Sequence, residues 1–588
     1  MEISVLVPGS RYKKKIYITQ KGDQLWLRFG YNRPLLDEVK TSFDHPKWHG
    51  FDTPPIKQWS VKDSTRTHWC LDYLQGKNPY KLYQKELVIP DDFERPVYEH
   101  QKVMVAHLLQ RLRGLLAAEM GTGKTLAVIE AMERSGVDDW LYVAPRSALY
   151  SVQLEFLKWE SRIQPLFVTY ASLHKYVGAT FGGVVFDESH KLKTPTTKRS
   201  IAAMSVADTL RDSYIWLMTG SPAPKAPTDW WHQCEVAQPG YLREGSIYRF
   251  KERLAITQEA EDGLYDKLIA WRDDDKRCSV CGMFQDHENH DTMNSIYEWF
   301  HEFKPGVNEV RKLYRRMKGL VLVQFKDDCL DLPEKEFITL KCPPNKDLER
   351  AASLIVETSP TVIQALTLLR ELSDGFQYKN TVIGKEVCDV CKGTGILTIP
   401  EEQPCPQCKG TGKADKIARS MVPVDSPKLD LLKDLIEEHE EARRIIIYAG
   451  FTGSIDRVVD LVKNMQGWDY IRMDGRGTDS SLGGNTLGLL QDFQNLDLNK
   501  RIAFIGHPGA AGTGLNLTAS PSIIYYSNSF NAADRIQSMD RIHRPGCRGA
   551  KIYDLINLKI DQYVLDNLLK KRELQSISMG ELKDELNN

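Results

Sequence analysis

Leu115-Leu116-Ala117-Ala118-Glu119-Met120-Gly121-Thr122-Gly123-Lys124-Thr125 joins an apolar run to a glycine-bearing turn, and the helical pattern Leu126–Glu133 follows. Strand, loop and helix in that order form the setting that a phosphate-cradling loop requires. Gly121 and Gly123, with Thr122 between them, would let backbone amides approach the phosphates. Lys124 would reach the β- and γ-phosphates and the Thr125 hydroxyl would hold Mg²⁺. The strict pattern has glycine where this chain has Ala118, but Gly-x-Gly-Lys-Thr is whole. Taken alone, the stretch would serve equally as a glycine turn before a helix.

About sixty residues on, Gly183-Val184-Val185-Phe186-Asp187-Glu188-Ser189-His190 is a short apolar strand ending in two adjacent carboxylates. Open α/β sheets place their ligands at such carboxyl ends. Asp187 would hold Mg²⁺ through water, and Glu188 would orient the attacking water, because phosphoryl transfer is catalysed mostly by positioning and charge stabilisation. An isolated Asp-Glu pair would also serve as a helix cap. A third strand, Ile215–Met218, runs into Thr219-Gly220-Ser221-Pro222, whose hydroxyls could sense a nucleotide or simply turn the chain.

The second half has its own buried-strand patterns, Arg444–Tyr448 and Arg501–Gly506. The latter leads into His507–Leu517, where Gly514 belongs to a glycine-rich turn that allows close backbone approach to a phosphate. In Asp534–Pro545, a continuous helix would set Gln537, Arg541 and Arg544 on one face at i, i+4 and i+7. Arginines presented together suit a forked grip on developing γ-phosphate charge, although two arginines can also line a solvated helix face.

Taken in order, EMGTGKT, VAPRSAL, VTYASL, FDESH, LMTGSP, LPEK, SPKLDLL, YIRMDG, GAAGTGLNLTAS and DRIQSMDRIHR resemble superfamily 2 helicases of the Swi/Snf-type ATPase family. The resemblance covers roughly residues 95–560. It implies two RecA-like lobes closing over one ATP, with Gln101 of YEHQK beside the adenine and Arg541 and Arg544 as arginine fingers. It also implies tracking along double-stranded DNA, usually without processive unwinding. Ser189 stands where the family has Ala or Ser, and Pro545-Gly546 replaces its usual Gly-Gln; neither change removes a catalytic group.

A chain of 588 residues is too long for one core, so about three or four domains are expected. The 41% apolar fraction is that of ordinary soluble protein, and a net charge of −1 confines nucleic-acid binding to local patches such as Lys13–Lys15 or Arg311–Lys318. No apolar run approaches the roughly 18 residues of a membrane span, and no secretory leader is apparent at the amino terminus. A soluble, DNA-associated protein is expected, cytoplasmic in a bacterial or virus-infected cell and nuclear in a eukaryote.

Six of the eleven cysteines lie in C-x-x-C pairs. Cys388-x-x-Cys391 and Cys405-x-x-Cys408 each continue Lys-Gly-Thr-Gly, two knuckles suited to a tetrahedral Cys₄ Zn²⁺ site. The repeat resembles half of the zinc region of DnaJ-type chaperones. Cys278, Cys281, His287 and His290 form a second zinc candidate, with a five-residue interval that is short for a two-Cys, two-His finger. Either insertion could dock a protein partner.

The fold class expected is α/β: two RecA-like lobes with parallel sheets flanked by helices, a small α+β amino-terminal domain, and zinc-binding insertions. The amino-terminal domain would span 1–90, lobe 1 91–240, a helical insertion with the Cys/His candidate 241–335, the start of lobe 2 with the Cys₄ insertion 336–425, and the rest of lobe 2 426–588. Trp26, Trp48, Trp59 and Trp69, interleaved with cations, would stack on bases or fill a small core. The pattern resembles the HARP-type domain of annealing helicases, which implies recognition of forked DNA. The expected activity is therefore an ATP-dependent translocase that remodels or reanneals forked duplex DNA, for which a monomer suffices. The alternatives are a strand-separating helicase on DNA or RNA and a non-enzymatic ATP-gated clamp or scaffold.

Overall fold

A computed structural model describes the chain except residues 9, 52–55, 224–225, 260–265, 286–302, 398–402, 512–514 and 571–588. Two compact units divide between Asp331 and Leu332.

The first unit opens with an antiparallel sheet of β1 (Glu2–Leu6), β2 (Lys13–Lys21), β3 (Gln24–Arg28), β4 (Lys47–Trp48) and β5 (Trp59–Lys62), in the order β1-β2-β3-β5-β4. Alternation puts Ile16 and Ile18, Leu25 and Leu27, and Trp59 and Val61 on one face, where helices Arg33–Ser42 and Thr65–Leu74 cover them. Asn32 and Ser64 cap the two helices. Of the four tryptophans, Trp59 is core, Trp26 stacks on His49 at 4.4 Å, and Trp69 packs edge-on to Tyr80 and Tyr83.

The same unit then builds a fully parallel sheet from β6 (Arg113–Ala118), β7 (Trp140–Ala144), β8 (Leu166–Thr169), β9 (Gly183–Asp187) and β10 (Tyr214–Thr219). An antiparallel hairpin of β11 (Ala255–Glu259) and β12 (Asp266–Trp271) precedes β13 (Val321–Gln324), which returns to pair with β6. The order is β13-β6-β10-β9-β7-β8. Leu115 and Ala117 face one core and Leu116 and Ala118 the other, so β6 is buried on both sides. The stretch 241–335 is thus not a helical insertion throughout. Its β13, apolar and four residues long, completes the first-unit sheet, and the β11–β12 hairpin is extended.

Amino-terminal domain and parallel sheet are fastened by a buried ion pair. Arg66, 5% exposed, donates Nε at 2.9 Å and a second N–H at 2.5 Å to Glu235, 1% exposed, on helix Trp230–Ala237. Thr65 N–H also donates to Asp208 at 2.9 Å.

The second unit starts with β14 (Glu336–Lys341). A ribbon of β15 (Phe376–Val387) and β18 (Lys413–Pro423) follows, with the short pair β16 (Ile396–Leu397) and β17 (Gln403–Pro404) between its strands. Then come β19 (Arg444–Tyr448), β20 (Trp468–Asp474), β21 (Gly477–Ser480), β22 (Arg501–Gly506), β23 (Ser522–Tyr525) and β24 (Lys551–Ile556). Their sheet runs β14-β24-β23-β19-β22-β20-β21, parallel except for β20–β21. Among the described residues no helix is long and apolar enough to cross a membrane.

Breaking a buried ion pair from one side leaves an uncompensated charge and costs about 3–5 kcal/mol. Arg66→Ala is expected to lower the urea unfolding midpoint accordingly, and Arg66→Met combined with Glu235→Leu to recover most of the loss.

Candidate functional site

Because β6, β9 and β10 are parallel neighbours, their carboxyl ends bring the Gly121–Thr125 loop, Asp187-Glu188 and the Thr219–Pro222 turn to one edge. Gly121 and Gly123 have φ of +88° and +76°, left-handed values that glycine adopts without strain. Gly123 caps helix Lys124–Arg134, and a Cβ there would lie 1.9 Å from Gln101 Nε2. Gln101 is 3% exposed; its Nε2 faces the Thr122 and Gly123 carbonyls at 3.4 Å each, and its Oε1 accepts from Tyr98 N–H at 2.9 Å. Lys124 Nζ donates to the carbonyls of Ala118 at 2.6 Å and Glu119 at 3.0 Å. The helix start, its amides and this ammonium form an anion cradle.

Asp187 ends β9 and is buried. It accepts from Glu188 N–H at 2.8 Å and Tyr142 Oη at 3.2 Å, while Tyr170 Oη donates to its carbonyl at 2.7 Å. Burial, and then the charge of Glu188, push the Asp187 carboxyl up to about 7 against the opposing pull of Lys124. Two adjacent buried carboxylates fit a divalent cation, which would relieve that repulsion, and Thr125 follows Lys124 in the first turn of the helix after β6. Glu188 sits at φ +52°, which for a side-chain-bearing residue costs about 1–3 kcal/mol and is held by the bonds around it. His190 Nδ1 lies 3.3 Å from Glu188 Oε2 and 3.1 Å from Thr219 Oγ1, so the two strand ends are tied together.

Beside this edge a groove of about 1330 Å³ is lined by Arg146 after β7, Tyr170 and His174 after β8, and Lys191, Lys198 and Arg199. Sequence reasoning missed it, because the four cations and the histidine are scattered along the chain. The runs it favoured are engaged locally instead: Lys15 pairs with Glu2 at 2.7 Å, Lys312 with Glu309 at 3.1 Å and Arg316 with Glu244 at 2.7 Å. The signal was present in position, since Arg146 and Lys191 immediately follow strand-end motifs.

In the second unit the helix carrying Gln537 stops at Met539, so Gln537, Arg541 and Arg544 do not share one helical face. Asp540 ends the helix with its side chain bound to Lys335 at 2.8 Å, tight i→i−3 turns follow, and Pro545 blocks continuation. Arg541 is buried, with Nε on the Gln537 carbonyl at 3.0 Å and a terminal N–H on the Leu515 carbonyl at 3.1 Å. Arg544 Nε donates to the Asp540 carbonyl at 3.1 Å. Gly514 lies outside the described residues.

At the end of the β15–β18 ribbon, Cys388, Cys391, Cys405 and Cys408 are buried with their sulfurs within 4.8 Å of one another. Cys388–Cys405 and Cys391–Cys408 are 3.7 and 3.6 Å apart, close to the roughly 3.8 Å edge of a tetrahedron with Zn–S bonds of about 2.3 Å. The knuckles are built alike. Thr394 and Thr411 Oγ1 donate to the carbonyls of Cys391 and Cys408 at 2.7 and 2.6 Å, and the Cys388 and Cys405 N–H groups donate to Gly412 and Gly395 at 3.0 and 2.8 Å. Burial raises the Cys391 thiol, but the Gly395 and Gly393 amides outweigh it and bring it to about 6, suited to a thiolate ligand. Cys278 and Cys281 are buried on a turn after β12, whereas His287 and His290 lie outside the described residues.

The description "Helicase conserved C-terminal domain" matches residues 427–546. The chain is 22% identical to the human DNA excision repair protein ERCC-6-like over 85% of this chain and 42% of that one. It is also 22% identical to the human DNA repair and recombination protein RAD54B, over 84% of this chain and 55% of that one. It therefore spans about half the length of these relatives. The SWI2/SNF2 ATPase core of Sulfolobus solfataricus in complex with dsDNA aligns over 85% of this chain and 98% of that one, at 18% identity and a TM-score of 0.32. Residues 427–546 thus match a helicase carboxyl-terminal domain, and the order of the strand-end motifs in the first unit resembles that of the superfamily 2, Swi/Snf-type ATPases.

Proposed function

We propose that the chain is an ATP-dependent DNA translocase that remodels or reanneals forked duplex DNA. The observation that carries this reading is the meeting at one sheet edge of the Gly-x-Gly-Lys-Thr loop, the buried Asp187–Glu188 pair and the Thr219–Pro222 turn, beside a basic groove. The names of the relatives, drawn from DNA repair and recombination, support DNA as the polymer.

In this reading Lys124 leaves the Ala118 and Glu119 carbonyls for the β- and γ-phosphates, and Gln101 borders the adenine. Thr125 and Asp187 would hold Mg²⁺, which would supply charge neutralisation at the phosphates. Glu188 holds the attacking water in line. Arg541 and Arg544 deliver guanidinium charge to the γ-phosphate, for which Arg541 exchanges its carbonyl partners. The groove cations take the DNA backbone without reading sequence. The four cysteines would hold Zn²⁺, which would supply a structural cross-link within the ribbon.

The ATPase rate of wild type and Glu188→Gln, measured without polymer and with duplex, single strand, fork and RNA, tests the reading. Stimulation by duplex or fork is expected, with the substitution lowering kcat by about 10²–10⁴-fold. Stimulation by single strand or RNA alone would indicate a strand-separating helicase, and none by any polymer would overturn the motor.

Two further outcomes are expected. Arg146→Ala with Lys191→Ala should weaken duplex binding and reduce the slope of log affinity against log salt by about 1 for each phosphate no longer neutralised. Metal analysis of purified protein should find zinc, lost in Cys405→Ser, with the change in far-ultraviolet circular dichroism confined to the ribbon's small share of the signal.

A further inference from the structure

Helix Trp230–Ala237 lies behind the catalytic edge of the first unit, and its Gln233 is fully buried with both halves of its amide engaged. Oε1 accepts from Ser189 Oγ at 2.9 Å. Nε2 donates to the carbonyl of Pro222 at 2.6 Å and to that of Asp229 at 3.0 Å. Ser189 follows Glu188, and Pro222 closes the turn that begins at Thr219. One amide thus clamps the end of β9 to the end of β10 from the inside, where the His190–Thr219 contact at 3.1 Å joins them from the other side.

The strain at Glu188 gives the clamp something to do. Its left-handed backbone is held from outside, and Ser189 is the next residue along. The helix cannot drift to follow a loosened loop, because two residues beyond Gln233 its Glu235 is locked to Arg66 and to the Gly240 N–H at 3.0 Å.

We propose that Gln233 is a positioning residue for hydrolysis: it holds the Glu188–Ser189 loop and the Thr219–Pro222 turn at a fixed spacing, with its helix anchored on the amino-terminal domain through Arg66. Gln233 does not reach the nucleotide cradle formed by Gly123 and Lys124, so it acts on turnover and not on nucleotide capture. This role rests on the motor reading above.

Gln233→Met keeps the length and removes every hydrogen bond. With duplex-stimulated wild type as reference, kcat is expected to fall about ten- to a hundred-fold, as misplacement of a reacting group by about 1 Å does. The KM for ATP and the affinity for a fluorescent ATP analogue should stay within about three-fold, since the cradle is untouched. Adding Ser189→Ala to Gln233→Met should cause no further loss, because both remove one interaction. A kcat within about two-fold of wild type, a matching loss of nucleotide affinity, or losses that multiply independently would each overturn the role. If Gln233→Met fails to fold, the nearly isosteric Gln233→Glu, which loses both donors but keeps the acceptor for Ser189, is measured by the kcat, KM and nucleotide-affinity criteria alone. A wild type that hydrolyses no ATP with any polymer would overturn the motor reading and this role with it, whereas an active wild type and an equally active variant would overturn the role alone.

Discussion

A parallel strand buried on both faces can carry polar chemistry only where it ends, and that constraint organises the first unit. β6, β9 and β10 have apolar side chains toward both cores, so the first polar groups appear together at their carboxyl ends. The phosphate cradle, the carboxylate pair and the Thr219 turn are neighbours because their strands are. The same packing withholds water from Asp187, which is why its proton affinity responds so strongly to Glu188 beside it. A site of this kind is poised for a cation and a polyanion of opposite charge, and it is costly to maintain without the framework behind it.

Residues that act through local spacing were legible in the sequence. Gly-x-Gly-Lys-Thr after an apolar run, Asp-Glu after another, and the repeated C-x-x-C-K-G-T-G each describe geometry within a dozen residues, and the backbone fulfils it. What was not legible depends on partners far apart along the chain. β13 is a four-residue apolar run whose identity as a sheet strand comes from pairing with β6, some two hundred residues earlier. The groove cations are brought together from the ends of β7 and β9 and from the start of helix Lys198–Thr209. Arg66 and Glu235 carry no motif, and only the fold reveals them as a pair. The helix at Ala532–Met539 failed differently: its heptad-like spacing was sound, but Asp540 is captured by Lys335, and an i, i+4, i+7 argument has no way to include that competitor.

Arg541 of the second unit contrasts with Lys124 and Gln101 of the first. Lys124 and Gln101 rest on carbonyls at the end of β6 and in the loop that follows it. Arg541 is instead buried among carbonyls of its own unit, Gln537 and Leu515. In the proposed motor, placing its charge on a phosphate would require exchanging both of these carbonyl partners.

The ribbon that carries the four cysteines leaves and rejoins its unit at almost one point: Val424 N–H bonds the Gly375 carbonyl at 2.7 Å, directly below the first rung, Phe376 with Pro423. The forty-eight residues from Phe376 to Pro423 therefore form a detour in the backbone whose ends already touch. Closing a loop costs entropy that grows only with the logarithm of its length, so the lobe is almost indifferent to how long the detour is. Such an excursion is a cassette: it can be gained, lost or exchanged over a lineage while the parallel sheet beneath it keeps its register.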